Sequence, residues 1–142
     1  MPGNAPALPR FHRRGRLGYI AGMSAPPLVH LPPPDVGADP TRHPAMRRFA
    51  EAVRALYGER VDRIVLYGSR ARGDAREESD WDVAVFLHEL RDWWGESEPL
   101  AKVSVALMDD TGAVINPLLF EAGGHLRRTP LMHEIRRDGL DL

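Results

Sequence analysis

The sequence predicts a small α/β domain of the α+β kind: a mixed β-sheet of about three to four strands, with helices packed mainly on one face. Three observations lead there. An apolar stripe at helical spacing runs through residues 45–57. Two β-forming runs, 62–67 and 81–87, follow it and are parted by a glycine-containing turn. A further helix, strand and helix then alternate to the end, and 142 residues suit one such domain rather than two.

In the first helix Met46, Phe49, Ala50, Val53, Leu56 and Tyr57 recur on one side, and Gly58 is a fitting stop. Residues 62–67, Asp-Arg-Ile-Val-Leu-Tyr, form the first strand, and Gly68-Ser69 breaks it. Residues 70–75 hold a short helical turn. In the second strand Trp81, Val83, Val85 and Leu87 share one face, and Asp82, Ala84 and Phe86 share the other. Ser97 is expected to cap a helix that runs to about Asp110, with Leu100, Val103 and Leu107 on its buried side and Gly112 as its end. Residues 113–120 form a third strand, which Pro117 assigns to a sheet edge or a bulge. Thr129-Pro130 opens the last helix, which Gly139 closes after Asp138.

Upstream the composition differs. Ten of the thirteen prolines lie in residues 1–44, with Pro26-Pro27 and Pro32-Pro33-Pro34 among them. Such a stretch favours extended backbone and buries little, so residues 1–42 are expected to be a disordered Pro/Arg-rich tail and residues 43–142 the domain. Met23 is an alternative start of the natural chain.

Apolar residues make up 43% and charged residues 27%, and there are no cysteines. Disulfides, thiolate metal sites and cysteine nucleophiles are therefore excluded. No run approaches the ~20 apolar residues of a membrane span, and the N-terminus lacks the apolar block of a secretory signal; a soluble cytoplasmic protein is expected. Residues 1–48 carry seven Arg against two Asp, whereas residues 49–142 carry twelve basic against eighteen acidic groups. An acidic domain lacks the positive footprint of a duplex binder and needs a cation to hold a polyphosphate.

The chemistry is concentrated in Gly68-Ser69-Arg70-Ala71-Arg72-Gly73-Asp74 and Ser79-Asp80-Trp81-Asp82. A strand that ends in Gly-Ser and turns into a helix exposes backbone N–H groups. With the Ser69 hydroxyl these suit phosphate oxygens, and Gly68 admits close approach. Arg70 and Arg72 are candidate phosphate partners, against the plainer reading as surface charges paired with Asp74 or Glu77. Asp80 and Asp82 sit on one face of a strand start, roughly 7 Å apart along the chain. Two carboxylates so placed repel unless a cation lies between them, and Mg²⁺ prefers such oxygens. Two such ions, roughly 3.5–4 Å apart, organise in-line phosphoryl or nucleotidyl transfer. Either pair alone reads as a plain turn or as two solvated acids; together, at this spacing, they favour a site. Trp81 is expected in the core, and Trp93 and Trp94 under a loop, against the alternative of stacking on a base or touching a partner. The six histidines show no metal-ligand spacing.

Gly68-Ser69-Arg70-Ala71-Arg72-Gly73 followed by Ser79-Asp80-Trp81-Asp82-Val83 resembles the signature of the minimal nucleotidyltransferases of the DNA polymerase β-like superfamily. The likeness is densest in residues 64–87 and extends in element order from residue 45 to the end. It implies a nucleotidyltransferase-like fold in which Gly68, Ser69, Arg70 and Arg72 hold a nucleotide, while Asp80 and Asp82 bind Mg²⁺ and serve catalysis. The implied reaction transfers AMP from ATP to a hydroxyl acceptor with release of pyrophosphate. Small relatives of this kind resemble antitoxins that modify a HEPN-type toxin protein, which makes such a toxin the implied partner. The family's third carboxylate, on a later strand, has no counterpart in residues 113–120, where Asn116 is the one polar side chain; Asp109, Asp110 and Glu121 flank it. An amide is a poor general base. The alternative reading is therefore a catalytically inactive nucleotide-binding, antitoxin or regulatory module that acts by contact. Modification of nucleic acid is disfavoured by the acidic domain.

Overall fold

The computed structural model describes residues 38–142. Of the tail expected over residues 1–42, residues 1–37 lie outside them, and within the rest Pro40–Arg42 form a short 3₁₀ turn that leads into the domain. The elements are α1 (Pro44–Tyr57), β1 (Val61–Tyr67), α2 (Ser69–Arg72), β2 (Trp81–Leu87), α3 (Trp93–Thr111), β3 (Ile115–Glu121), α4 (Pro130–Asp138) and β4 (Leu140–Asp141). The four strands form one mixed sheet in the order β3-β2-β1-β4. β1 runs antiparallel to both β2 and β4, and β2 runs parallel to β3 across the α3 connection.

The alternation expected in β2 holds. Trp81, Val83, Val85 and Leu87 join Ile64 and Leu66 on one face, against Met46, Phe49 and Val53 of α1 and Leu100, Val103 and Leu107 of α3. Ala84 and Phe86 join Val65 and Tyr67 on the other face, against Met132 and Ile135 of α4. Two of the three long helices thus cover one face and α4 covers the other. This is the α+β sheet that the sequence predicts, with β3 and its Pro117 at an edge.

The start of α4 follows the expected chemistry, and its end does not. Thr129 Oγ1 accepts from the Met132 N–H at 3.2 Å, and Pro130 occupies the first helical position, where no donor is needed. At the far end Gly139 is required for proximity, not for a left-handed φ: its φ is −64°. A Cβ there would press on the Ile135 carbonyl and come within 2.6 Å of Val65 Cγ1. The end of α4 therefore rests directly on β1.

The start of α3 differs from expectation. The cap is Asp92, whose carboxylate accepts from the Gly95 N–H at 3.1 Å, and the helix begins at Trp93, more than a turn before Ser97. A carboxylate at this end also meets the positive pole of the helix, which a serine hydroxyl does not. Nor do the two tryptophans lie under a loop. They form the first turn of α3, edge to face at 4.9 Å; Trp93 Nε1 donates to the Leu119 carbonyl at 2.9 Å, and Trp94 is 80% exposed. The fourth strand falls within the expected three to four, but its place at β4 was not read, because two residues are too short to show a period. Among the described residues no helix is long and apolar enough to cross a membrane.

Candidate active site

The end of β1 and the start of β2 bring the signature residues together. Tyr67 is opposite Asp82 across β1 and β2, and Asp82 is opposite Asn116 across β2 and β3. Register partners point the same way, so Tyr67, Asp82 and Asn116 form a row across three strands on the face that α4 covers. Asp80 lies just before β2 and is exposed. Asn116 Nδ2 donates to Asp80 Oδ2 at 2.9 Å. Asn116 therefore faces the site, at the place where a carboxylate on the third strand would stand.

Gly68 closes the row from below. Its φ of 75° and ψ of −156° belong to a region that side chains avoid. A Cβ there would lie 2.7 Å from Asp82 Oδ2. The glycine thus lets the backbone pass against the acid as β1 turns into α2. Ser69 is the first residue of α2, and its carbonyl accepts from the N–H groups of Gly73 and Asp74 at 3.0 and 3.1 Å. That bonding closes the single turn of α2, whose leading N–H groups lack helical partners of their own.

The two arginines part company. Arg70, expected at a phosphate, is turned inward and only 8% exposed. Its guanidinium lies 4.4 Å from the centre of the Trp81 ring. Nε donates to the Ser79 carbonyl at 3.1 Å, and Nη2 donates to the Glu77 and Ser79 carbonyls at 2.9 and 2.6 Å. A planar fork with an aromatic face beside it is best satisfied by this loop. Arg70 therefore holds residues 77–79, and with them Asp80, and its donors are not aimed at a ligand. Arg72 is at the rim, its Nη1 2.6 Å from Glu134 Oε1 and its Nε 3.3 Å from Asp74 Oδ2.

Electrostatics mark Asp82 as the strained member of the row. Burial lifts its pKa above the usual carboxylate value. The Asn116 amide, although its hydrogen bond goes to Asp80, lies close enough to Asp82 to oppose the rise; the negative charges of Asp80 and Glu134 add to it, and Arg72 offsets part. Tyr67 is pushed up to about 12, first by burial and then by Asp82 and Glu134, so its phenol stays protonated. Tyr67 and Glu134 are the site residues that sequence reasoning missed. Tyr67 left one partial signal, its place directly before Gly68, while the β1–β2 pairing that sets it opposite Asp82 is not local. Glu134 left none: it reads as a solvated helix face, and its partner Arg72 is 62 residues away in sequence.

Asp109, Asp110 and Glu121 do not supply the missing acid in the row. Asp110 is bonded to Arg48 at 2.8 Å, Glu121 pairs with Leu87 at the opposite end of β2, and Asp109 is exposed near the end of α3.

A divalent cation fits this donor set. Two carboxylates converge on one end of the sheet, and one of them is destabilised in its charged form by burial and by its neighbour. Among the described residues no group of three His, Cys, Asp or Glu side chains stands close enough to hold a metal ion. Asp80 and Asp82 would therefore be the acidic ligands, with water and phosphate oxygens completing the shell, as is usual for Mg²⁺.

Residues 46–112 match the family model described as a nucleotidyltransferase domain. Over 97 residues the chain is 25% identical to the Methanocaldococcus jannaschii protein named "Putative protein adenylyltransferase MJ0141", which covers 68% of this chain and 94% of that one. A second protein of that organism, "Putative protein adenylyltransferase MJ0604", is 44% identical over 41 residues, 29% of this chain and 41% of its own. The crystal structure of a putative nucleotidyltransferase from Sulfolobus solfataricus superposes with a TM-score of 0.46 at 14% identity, over 73% of this chain and 86% of that one.

Proposed function

We propose that the domain is a Mg²⁺-dependent adenylyltransferase that moves AMP from ATP to a hydroxyl of a partner protein. The observation that carries this reading is the contact of Gly68 with Asp82: the phosphate-type turn and the acid pair meet at one point, with no room for a side chain between them. The names of the relatives, protein adenylyltransferases, favour a protein acceptor and ATP as donor. The resemblance to antitoxin transferases points to a HEPN-type toxin as that acceptor.

In this reading Gly68, Ser69 and the first N–H groups of α2 bind the triphosphate, and Asp80 and Asp82 orient its α-phosphate. Bound Mg²⁺ would supply charge neutralisation for the phosphates. The acceptor oxygen attacks the α-phosphorus, the bond from that phosphorus to the bridging oxygen of the β-phosphate breaks, and pyrophosphate leaves. The hydroxyl proton passes to solvent. Arg72 is the cation at the rim nearest the acid row, and its exchange of Glu134 for a phosphate oxygen would draw the triphosphate down. Arg70 acts only by holding the Asp80 loop.

A second reading, a nucleotide-binding module without catalysis, draws on Asn116, which puts a neutral amide where a third acid would be. Labelled ATP and Mg²⁺, incubated with the chain and with the product of the neighbouring gene, separate the two. Transfer is expected, with pyrophosphate released in step. Asp80→Ala or Asp82→Ala should lower it at least about 100-fold. Binding of ATP with no label transferred to either protein would leave the module and refute the enzyme.

A further inference from the structure

Asn116 is the neutral member of the row under α4. Its Nδ2 lies 2.9 Å from Asp80 Oδ2, and it is opposite Asp82 in the β2–β3 register. An ionised carboxylate only accepts hydrogen bonds, so the atom that meets Oδ2 is the amide nitrogen. Two things follow for a cation. One carboxylate oxygen of the pair is already committed to a donor. The third position of the row adds no charge, so the chain contributes two negative charges, and any ion beyond the one held by this pair and the phosphates meets no further acid of the protein. A second ion would lie about 3.5–4 Å from the first, repelled by it and facing an amide, with the Arg72 guanidinium already acting on Asp82 from the rim. Nor do the described residues offer a cluster of three acids to hold it.

We infer that Asn116 restricts the Asp80–Asp82 pair to a single divalent cation, and that an acid at position 116 would admit a second. The inference rests on the reading of that pair as the cation ligands. Asn116 is then a positioning residue: it fixes the orientation of Asp80 and sets the number of ions, without itself contributing charge.

The test counts ions and needs no turnover. The full chain is dialysed against Mn²⁺ with a non-hydrolysable ATP analogue, bound Mn²⁺ is measured per chain, and electron paramagnetic resonance reports whether the ions are coupled. The wild type should hold one Mn²⁺ with the spectrum of an isolated ion. Asn116→Asp should hold two, with a spin-coupled spectrum, and Asn116→Ala should remain at one. Two coupled ions in the wild type would overturn the inference while leaving the proposed transferase standing. A folded Asn116→Asp protein that still holds one ion would overturn it as well. Failure of the wild type to retain any Mn²⁺ would overturn both readings together. The wild-type count decides even if a variant fails to fold.

Discussion

Gly68 and Arg70 sit two residues apart and act in opposite ways, one by what it lacks and the other by what it fills. The absent side chain of Gly68 lets Asp82 stand against the backbone. Gly68→Ala therefore meets two penalties, a Cβ 2.7 Å from Asp82 Oδ2 and a φ of 75°. It should cost about 1–3 kcal/mol in urea unfolding and abolish nucleotide binding measured by calorimetry. Wild-type affinity in that variant would show that the close approach is not what the ligand uses. Arg70 packs its guanidinium on Trp81 and spends its donors on the carbonyls of residues 77 and 79, so the Arg-Ala-Arg of the signature is one structural arginine and one rim arginine. The sequence presents them alike, because burial depends on which way β2 turns Trp81, and no local pattern around Arg70 records that.

At the scale of elements, each junction near the site is governed by its cap. His43 begins α1: its Nδ1 accepts from the Ala45 N–H at 3.2 Å, and its ring lies 4.5 Å from that of Trp81. Burial, and then the charge of Arg70, lower its pKa below the ordinary 6.5. Above that value His43 is neutral whether folded or unfolded, and its contribution to stability is whole. As the pH falls below it, the unfolded chain takes up a proton that the folded chain refuses, and stability drops until the lowered folded value is passed. The urea midpoint should therefore fall between about pH 7.5 and about pH 5, and His43→Asn, which keeps a capping oxygen, should fall less steeply. Equal slopes would remove His43 from the account. Thr129, Gly112 and the alternation of β2 were all legible in the sequence, because caps and periods are local. The start of α3 was not: Asp92 and Ser97 are both good caps, and the choice is settled by Trp93 reaching the Leu119 carbonyl, a contact 26 residues distant in sequence.

For the molecule as a whole, the signature is clamped between two cores. The larger one, under α1 and α3, is centred on residues such as Phe49, which is fully buried. Phe49→Ala should cost about 3–5 kcal/mol by urea unfolding, enough to threaten a domain of this size. A loss below about 1 kcal/mol would mean that the face collapses to fill the gap. The smaller core, under α4, is where the sequence told least. The acid pair and its glycine could be read from spacing, but Tyr67, Asn116 and Glu134 join them through pairings between separate elements.

That second core also has very little slack. Because Gly139 lets α4 bear directly on Val65 and on its own last turn, a single methyl at 139 would act as a shim under one end of the helix. Glu134 is carried on that helix, within reach of Arg72, so the shim would widen the mouth of the site from more than a helical turn away. At 139 a hydrogen atom stands where every other residue would place a carbon.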